Sequence, residues 1–199
     1  MATRRRHSAS YGAMNASIEQ LSLKTVDGQT SSLGQYAGKV RLVVNVASKC
    51  GLTPQYEKLE AAYRRYHTKG FEVLAFPANE FGGQEPGTEA EIKEFCSTSY
   101  AVTFPLFAKI VVKGAGQHPL YRELTQQLPE ARALPGSDFR AKLIGYGVDP
   151  GAPGEILWNF EKFLLGRDGK VVERFAPDVA PDDPIVVEAI ERELARAGS

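Results

Sequence analysis

Two cysteines and three histidines hold most of the nucleophilic chemistry open to this chain, and Cys50 has the most telling context. It stands between the apolar run Val40–Val46 and Thr53-Pro54, an N-cap followed by proline at the first helical position. The run suits a strand buried on both faces of a sheet, so Cys50 falls where a strand hands over to a helix. The N–H groups and positive dipole end of that helix favour a thiolate over a thiol. Such a group is a nucleophile or a redox centre; a small buried apolar cysteine fits the same position, and position alone leaves both open. Three residues further on stands Thr53 rather than a second cysteine, so Cys-Gly-Leu-Thr cannot close a local disulfide. A thiolate here is suited to attack an electrophile and then wait for a thiol from elsewhere. His7, His67 and His118 do not cluster, and no local motif pairs one of them with Cys50. The cysteines and histidines also lack paired metal-ligand spacing, and Gly82-Gly83 is not followed by phosphate-loop spacing. No metal and no cofactor is expected.

The elements that must position Cys50 follow from periodicity. Pro54–Lys69 carries Tyr56, Leu59, Ala62, Tyr63 and Tyr66 at helical spacing, with Gly70 placed to end the helix. Phe71–Phe76 reads as a second strand, giving a right-handed βαβ unit with a parallel pair. Pro77–Gly87 has turn chemistry throughout and leaves the carboxyl end of its strand, the edge where open α/β sheets bind ligands. Thr88 to Glu91 matches a capping box for a helix that carries Cys96 on or near its end. Upstream, Ile18–Val26 and Asp27-Gly28 read as a β-hairpin with a tight turn, and Ser31–Gly38 as a short helical turn. Downstream, Phe104–Val112 reads as a strand or extended segment at a sheet edge because of Pro105. His118–Leu128 is a short helix, and Pro129–Gly154 a long surface loop. Asn159–Leu165 and Lys170–Phe175 form a hairpin, and Pro184–Arg196 a closing helix. That order is the one of a thioredoxin-like α/β fold: a central mixed sheet flanked by helices, with an N-terminal β-hairpin.

Composition narrows the function. The 199 residues, 43% hydrophobic and 24% charged, suit one soluble globular domain, here residues 16–199. Lys+Arg and Asp+Glu balance at 24 each, so no global field draws the chain to nucleic acid or to a membrane surface. No apolar run reaches membrane-spanning length. Two cysteines make no disulfide scaffold, so a reducing cytoplasm is the expected address. Residues 1–15, with Arg4-Arg5-Arg6, read as a disordered polar tail without the apolar stretch of a secretory signal.

Three segments, in order, resemble the signatures of the glutathione peroxidases: VNVASKCGLTPQY, LAFPANEFGGQEPGT and WNFEKFLLGRDGKVVERF. The resemblance runs from about Ala16 to Ala195. It implies a catalytic tetrad of Cys50, Gln84, Trp158 and Asn159. Peroxide cleavage by a thiolate needs donors for both oxygens, and two side-chain amides and an indole supply them without adding a charge. The resemblance further implies, from EFCSTSYAVTFPLF, that Cys96 is the resolving cysteine of the cysteine-containing branch, its internal disulfide being reduced by thioredoxin, or less readily by glutathione. Ala78 and Glu80 depart from the commonest family sequence, where cysteine and glutamine stand; the first makes Cys96 the sole internal partner for Cys50. The helix opened by Thr88 is expected to hold Cys96 beyond the roughly 7 Å between Cα atoms that a disulfide allows, so its turn must unwind in each cycle. The expected activity is that of a thiol peroxidase acting on hydrogen peroxide and organic hydroperoxides, as a monomer or weak oligomer. A redox sensor or relay passing a Cys50–Cys96 disulfide to a partner protein would use the same residues.

Overall fold

The computed structural model describes residues 17–196, so the disordered tail expected over residues 1–15 lies outside the described residues. After a 3₁₀ turn at Ile18–Gln20 come β1 (Leu23–Lys24), β2 (Thr30–Ser31) and a 3₁₀ turn at Leu33–Tyr36. The βαβ unit is β3 (Val40–Val46), α1 (Gln55–Tyr66) and β4 (Phe71–Pro77). Then follow α2 (Glu89–Tyr100), α3 (Pro119–Gln127), α4 (Phe139–Gly145), β5 (Lys162–Leu165), β6 (Val171–Phe175) and α5 (Pro184–Ala195). The main sheet has the order β4-β3-β5-β6, with β3 parallel to β4 and antiparallel to β5. This is the thioredoxin-like arrangement, and β1 pairs with β2 as the N-terminal hairpin, although over two residues of each strand.

Every residue of β3 is buried, which a run so rich in valine demands of a central strand. Its alternation sorts the core into two layers. Val40, Leu42, Val44 and Val46 face Tyr56 and Leu59 of α1, Ile92 and Cys96 of α2, and Val186 and Ile190 of α5. Val43 faces the other layer, with Phe76, Phe163 and the α3 residues Leu120, Tyr121 and Leu124. Each such side chain contributes about 1.5–3 kcal/mol of burial. Cys50 and Cys96 lie in the same layer.

Three expectations change. Phe104–Val112 forms no strand among the described residues; it adds single bridges to the β4 edge, where Phe107 N–H donates to the Ala75 carbonyl at 3.0 Å. The supposed loop 129–154 contains α4, started by Asp138, whose carboxylate accepts from Ala141 N–H at 3.0 Å. This segment is held by buried Arg174, which pairs with Glu161 at 2.8 Å and donates to the carbonyls of Leu128, Pro129, Gly154 and Glu155. Finally, α1 begins at Gln55, with Pro54 rather than Thr53 at the cap. At the β6 edge Arg132 takes a bridging place: its N–H donates to the Arg174 carbonyl at 2.7 Å, and its own carbonyl accepts from Ala176 N–H.

Candidate active site

The loop from β3 to α1 is built around Thr53. Its hydroxyl donates to the Ala47 carbonyl at 2.8 Å and accepts from Cys50 N–H at 3.0 Å. Thr53 therefore caps the cysteine turn instead of the helix, because its side chain reaches back to groups that the strand end leaves unpaired. Within that turn Leu52 N–H donates to the Cys50 sulfur at 3.3 Å. A backbone donor aimed at sulfur stabilises a negative charge there. Cys50 is 9% exposed, against none for Cys96.

The carboxyl end of β3 gathers the remaining expected residues. Gln84 lies in the loop after β4, and its carbonyl accepts from Lys49 N–H at 3.0 Å, which fixes it next to the cysteine turn. Asn159 is fully buried, and its Nδ2 donates to Gln84 Oε1 at 2.8 Å. With its carbonyl oxygen so engaged, Gln84 keeps both amide N–H groups for an incoming oxygen. Trp158 is held from β3, since Asn45 Nδ2 donates to its carbonyl at 3.1 Å. Its ring packs 5.5 Å from Phe81 and against the layer containing Cys50. Gly82, at φ +67°, brings the loop so close that a Cβ there would sit 3.5 Å from the Trp158 ring.

Phe160 has φ +66°, and its N–H reaches the Asn45 carbonyl at 2.6 Å. Lys162 supports this turn from below. It is fully buried, and its ammonium donates to the Phe160 carbonyl, to Gln55 Oε1 at 2.9 Å and to the Pro177 carbonyl at 3.1 Å. Burial pushes this lysine down to about 7, against the attraction of Glu161 and Asp178. Nothing in the sequence pointed to Lys162, because a lysine in a strand is ordinarily an outward-facing one.

Cys96 lies inside α2, without solvent exposure, in the same core layer as Cys50. Both cysteines are free thiols. Burial pushes the Cys96 thiol up to about 11; the Tyr56 hydroxyl lowers it and the Glu85 charge raises it further. The helix closes just after it, where Val102 N–H donates to the Cys96 carbonyl and Ala101 N–H to that of Ser97, each at 3.1 Å. Ala101 takes the left-handed conformation there, at φ +50°. Beyond it Thr103 is tied to buried Glu60 of α1, which accepts from its N–H at 3.0 Å and from its hydroxyl. Of the two departures, Ala78 is buried under the loop. Glu80 turns to the backbone, accepting from Asn79 N–H at 2.8 Å and from Val112 N–H. His118 caps α3 through its Nδ1, which accepts from Leu120 N–H at 3.0 Å. Among the described residues no group of three or more His, Cys, Asp or Glu could hold a metal ion, and no helix is long and apolar enough to cross a membrane.

Residues 18–125 match the family model described as glutathione peroxidase. The chain is 52% identical to thioredoxin/glutathione peroxidase BtuE of Escherichia coli K12, over 92% of this chain and 100% of that protein. It is 46% identical to hydroperoxy fatty acid reductase gpx1 of Synechocystis sp., over 85% of this chain and 92% of the relative. The crystal structure of T. cruzi GPX1 superposes with a TM-score of 0.66 at 33% identity, over 91% of this chain and 99% of that one.

Proposed function

Because the chain belongs to the glutathione peroxidase family and is a thiol peroxidase, we propose that Cys50 is its peroxidatic nucleophile and that Gln84, Trp158 and Asn159 bind and polarise the peroxide. The thiolate attacks one peroxide oxygen and the O–O bond breaks; the other oxygen takes up the proton that Cys50 released on ionising and leaves as water or alcohol, so that Cys50 becomes a sulfenic acid. The observation that carries this reading is the hydrogen bond from Asn159 to Gln84 beside the cysteine turn. It leaves neutral donors directed at a developing oxyanion, at no cost of desolvating a charge.

Cys96 then condenses with the sulfenic acid, releasing water, and an external dithiol reduces the Cys50–Cys96 disulfide. The name of the E. coli relative, at 52% identity, supports thioredoxin as that dithiol with glutathione as a second donor. The name of the Synechocystis relative supports organic hydroperoxides beside hydrogen peroxide. Burial of Cys96 inside α2 means that the terminal turn of the helix opens for the disulfide to close. Enzymes of this kind work where thiols stay reduced, which favours the cytoplasm.

Steady-state peroxide consumption with thioredoxin and its reductase, for wild type, Cys50→Ser and Cys96→Ser, tests the assignment. Cys50→Ser should lose turnover, and activity within about tenfold of wild type would remove Cys50 as nucleophile. Cys96→Ser should still reduce one equivalent of peroxide, yet no longer be sustained by thioredoxin. Normal turnover of that variant with thioredoxin would make Cys96 structural.

A further inference from the structure

Between the cysteine turn and α2 lies a cavity of about 340 Å³, lined by Ser48 and Lys49 on one side and by Ile92 and Phe95 on the other. Its lining thus comes from both the turn that carries Cys50 and the helix that carries Cys96, although neither cysteine lines it. Two carboxyl groups line it, Glu85 and Glu91. Glu91 is engaged in the helix cap, accepting from the Thr88 hydroxyl at 3.1 Å. Glu85 is different: it is 1% exposed, and its Oε2 has no hydrogen-bond partner. Its backbone is fixed, since Glu85 N–H donates to Asn79 Oδ1 at 2.9 Å. A buried carboxyl oxygen without a partner is costly to a fold and needs a reason.

Disulfide closure supplies one. The step joins Cys96 Sγ to Cys50 Sγ and expels hydroxide from the sulfenic acid. One proton must leave the thiol and one must reach the hydroxide, and none of Gln84, Trp158 and Asn159 titrates near neutral pH. We propose that Glu85 is the general base of this step: its carboxylate takes the proton from the Cys96 thiol as the sulfur attacks, and passes it to the departing hydroxide, which leaves as water. Atoms and charge balance with no further reactant. The inference rests on the reading of Cys96 as the resolving thiol.

The surroundings suit the role. Burial raises the affinity of Glu85 for a proton, while Ser48, Lys109 and Lys49 lower it. The Glu85 charge acts in turn on both Cys96 and Tyr56, which places the three groups in one electrostatic cluster. Tyr56 is held well above its ordinary range and stays a phenol, so it does not compete as the base.

Trp158 fluorescence in stopped flow, after mixing the reduced protein with peroxide, separates sulfenic acid formation from disulfide closure. In Glu85→Gln, which keeps the side-chain shape, the slow phase should fall by roughly 100-fold relative to the fast one. Its rise with pH through the Glu85 titration should vanish as well. In Glu85→Ala, added formate should restore the slow phase in proportion to its concentration. If Glu85→Gln closes the disulfide within about twofold of wild type, the base is not Glu85. Slowing with an unchanged pH profile and no formate rescue also overturns the proposal, because Glu85 then acts by packing. A slow phase that persists in Cys96→Ser would instead defeat the resolving role of Cys96, and this inference with it.

Discussion

The Asn159 side chain donates to the Gln84 side chain at 2.8 Å, across 75 positions of sequence. The two residues come from the loop after β4 and the segment before β5, and β3 lies between those strands. Each amide orients the other, so they act as a unit. Gln84→Ala and Asn159→Ala should each slow oxidation of Cys50 by peroxide by about 10- to 100-fold, on the order of 1.4–2.7 kcal/mol. The double variant should lose much less than the product, with a coupling of about 1 kcal/mol or more in a stopped-flow cycle. Additive losses would mean that they contact the peroxide independently.

Ala101 closes α2 in the left-handed conformation, which costs a residue with a Cβ about 1–2 kcal/mol. Ala101→Gly removes that cost and should stabilise the end of α2 by about 1 kcal/mol, raising the urea midpoint. Because the same turn is the one proposed to open for disulfide closure, the slow fluorescence phase should become roughly fivefold slower, with the fast phase unchanged. A faster slow phase would place the opening elsewhere.

The Cys96 thiol is held at about 11 in the fold, mainly by burial, against about 8.5 in an unfolded chain. Between these values the folded state keeps a proton that the unfolded state has released. The stability linked to this group is therefore whole below about pH 8.5 and is lost as pH rises toward 11, on the order of 3 kcal/mol. Urea unfolding of the reduced protein across that window should show the decline, and Cys96→Ala should flatten it. At pH 7.5 iodoacetamide should label Cys50 and spare Cys96 until the protein unfolds.

Lys162→Met should remove the donor that the Phe160 and Pro177 carbonyls and Gln55 share. Relief of the buried charge offsets part of the loss, leaving a destabilisation of about 2 kcal/mol. That is a fall of roughly 4–8 °C in Tm for a chain of this size. Peroxide oxidation of Cys50 should slow as well, since the Phe160 turn that presents Asn159 loses its support. Lys162→Arg should not restore either property, because the cage is fitted to an ammonium.

The sequence made some of this legible and hid the rest for physical reasons. Val40–Val46 could be read to the residue because a strand buried on both faces has little freedom in composition. Cys50, Gln84, Trp158 and Asn159 were picked out from motifs, and the fold brings their segments to one end of β3. The helix α4 was hidden because its seven residues bury only Leu143 and sit among glycines and prolines. Thr53 looks like a helix cap in sequence because the same hydroxyl can satisfy a helix or a preceding turn, and only the path of Ala47 decides between them. Lys162 and Glu85 were silent because a charged residue gives no periodic signal of being buried.

Both outer strands of the main sheet are occupied, β4 by Pro105–Phe107 and β6 by Arg132. An open edge is a template on which another chain can add a strand, the first step toward aggregation. Each closure here is short, and the proline in one of them has no N–H to offer a further strand. The opening of α2 proposed above for disulfide closure would thus take place beside a sheet whose two outer strands each already carry a bridge.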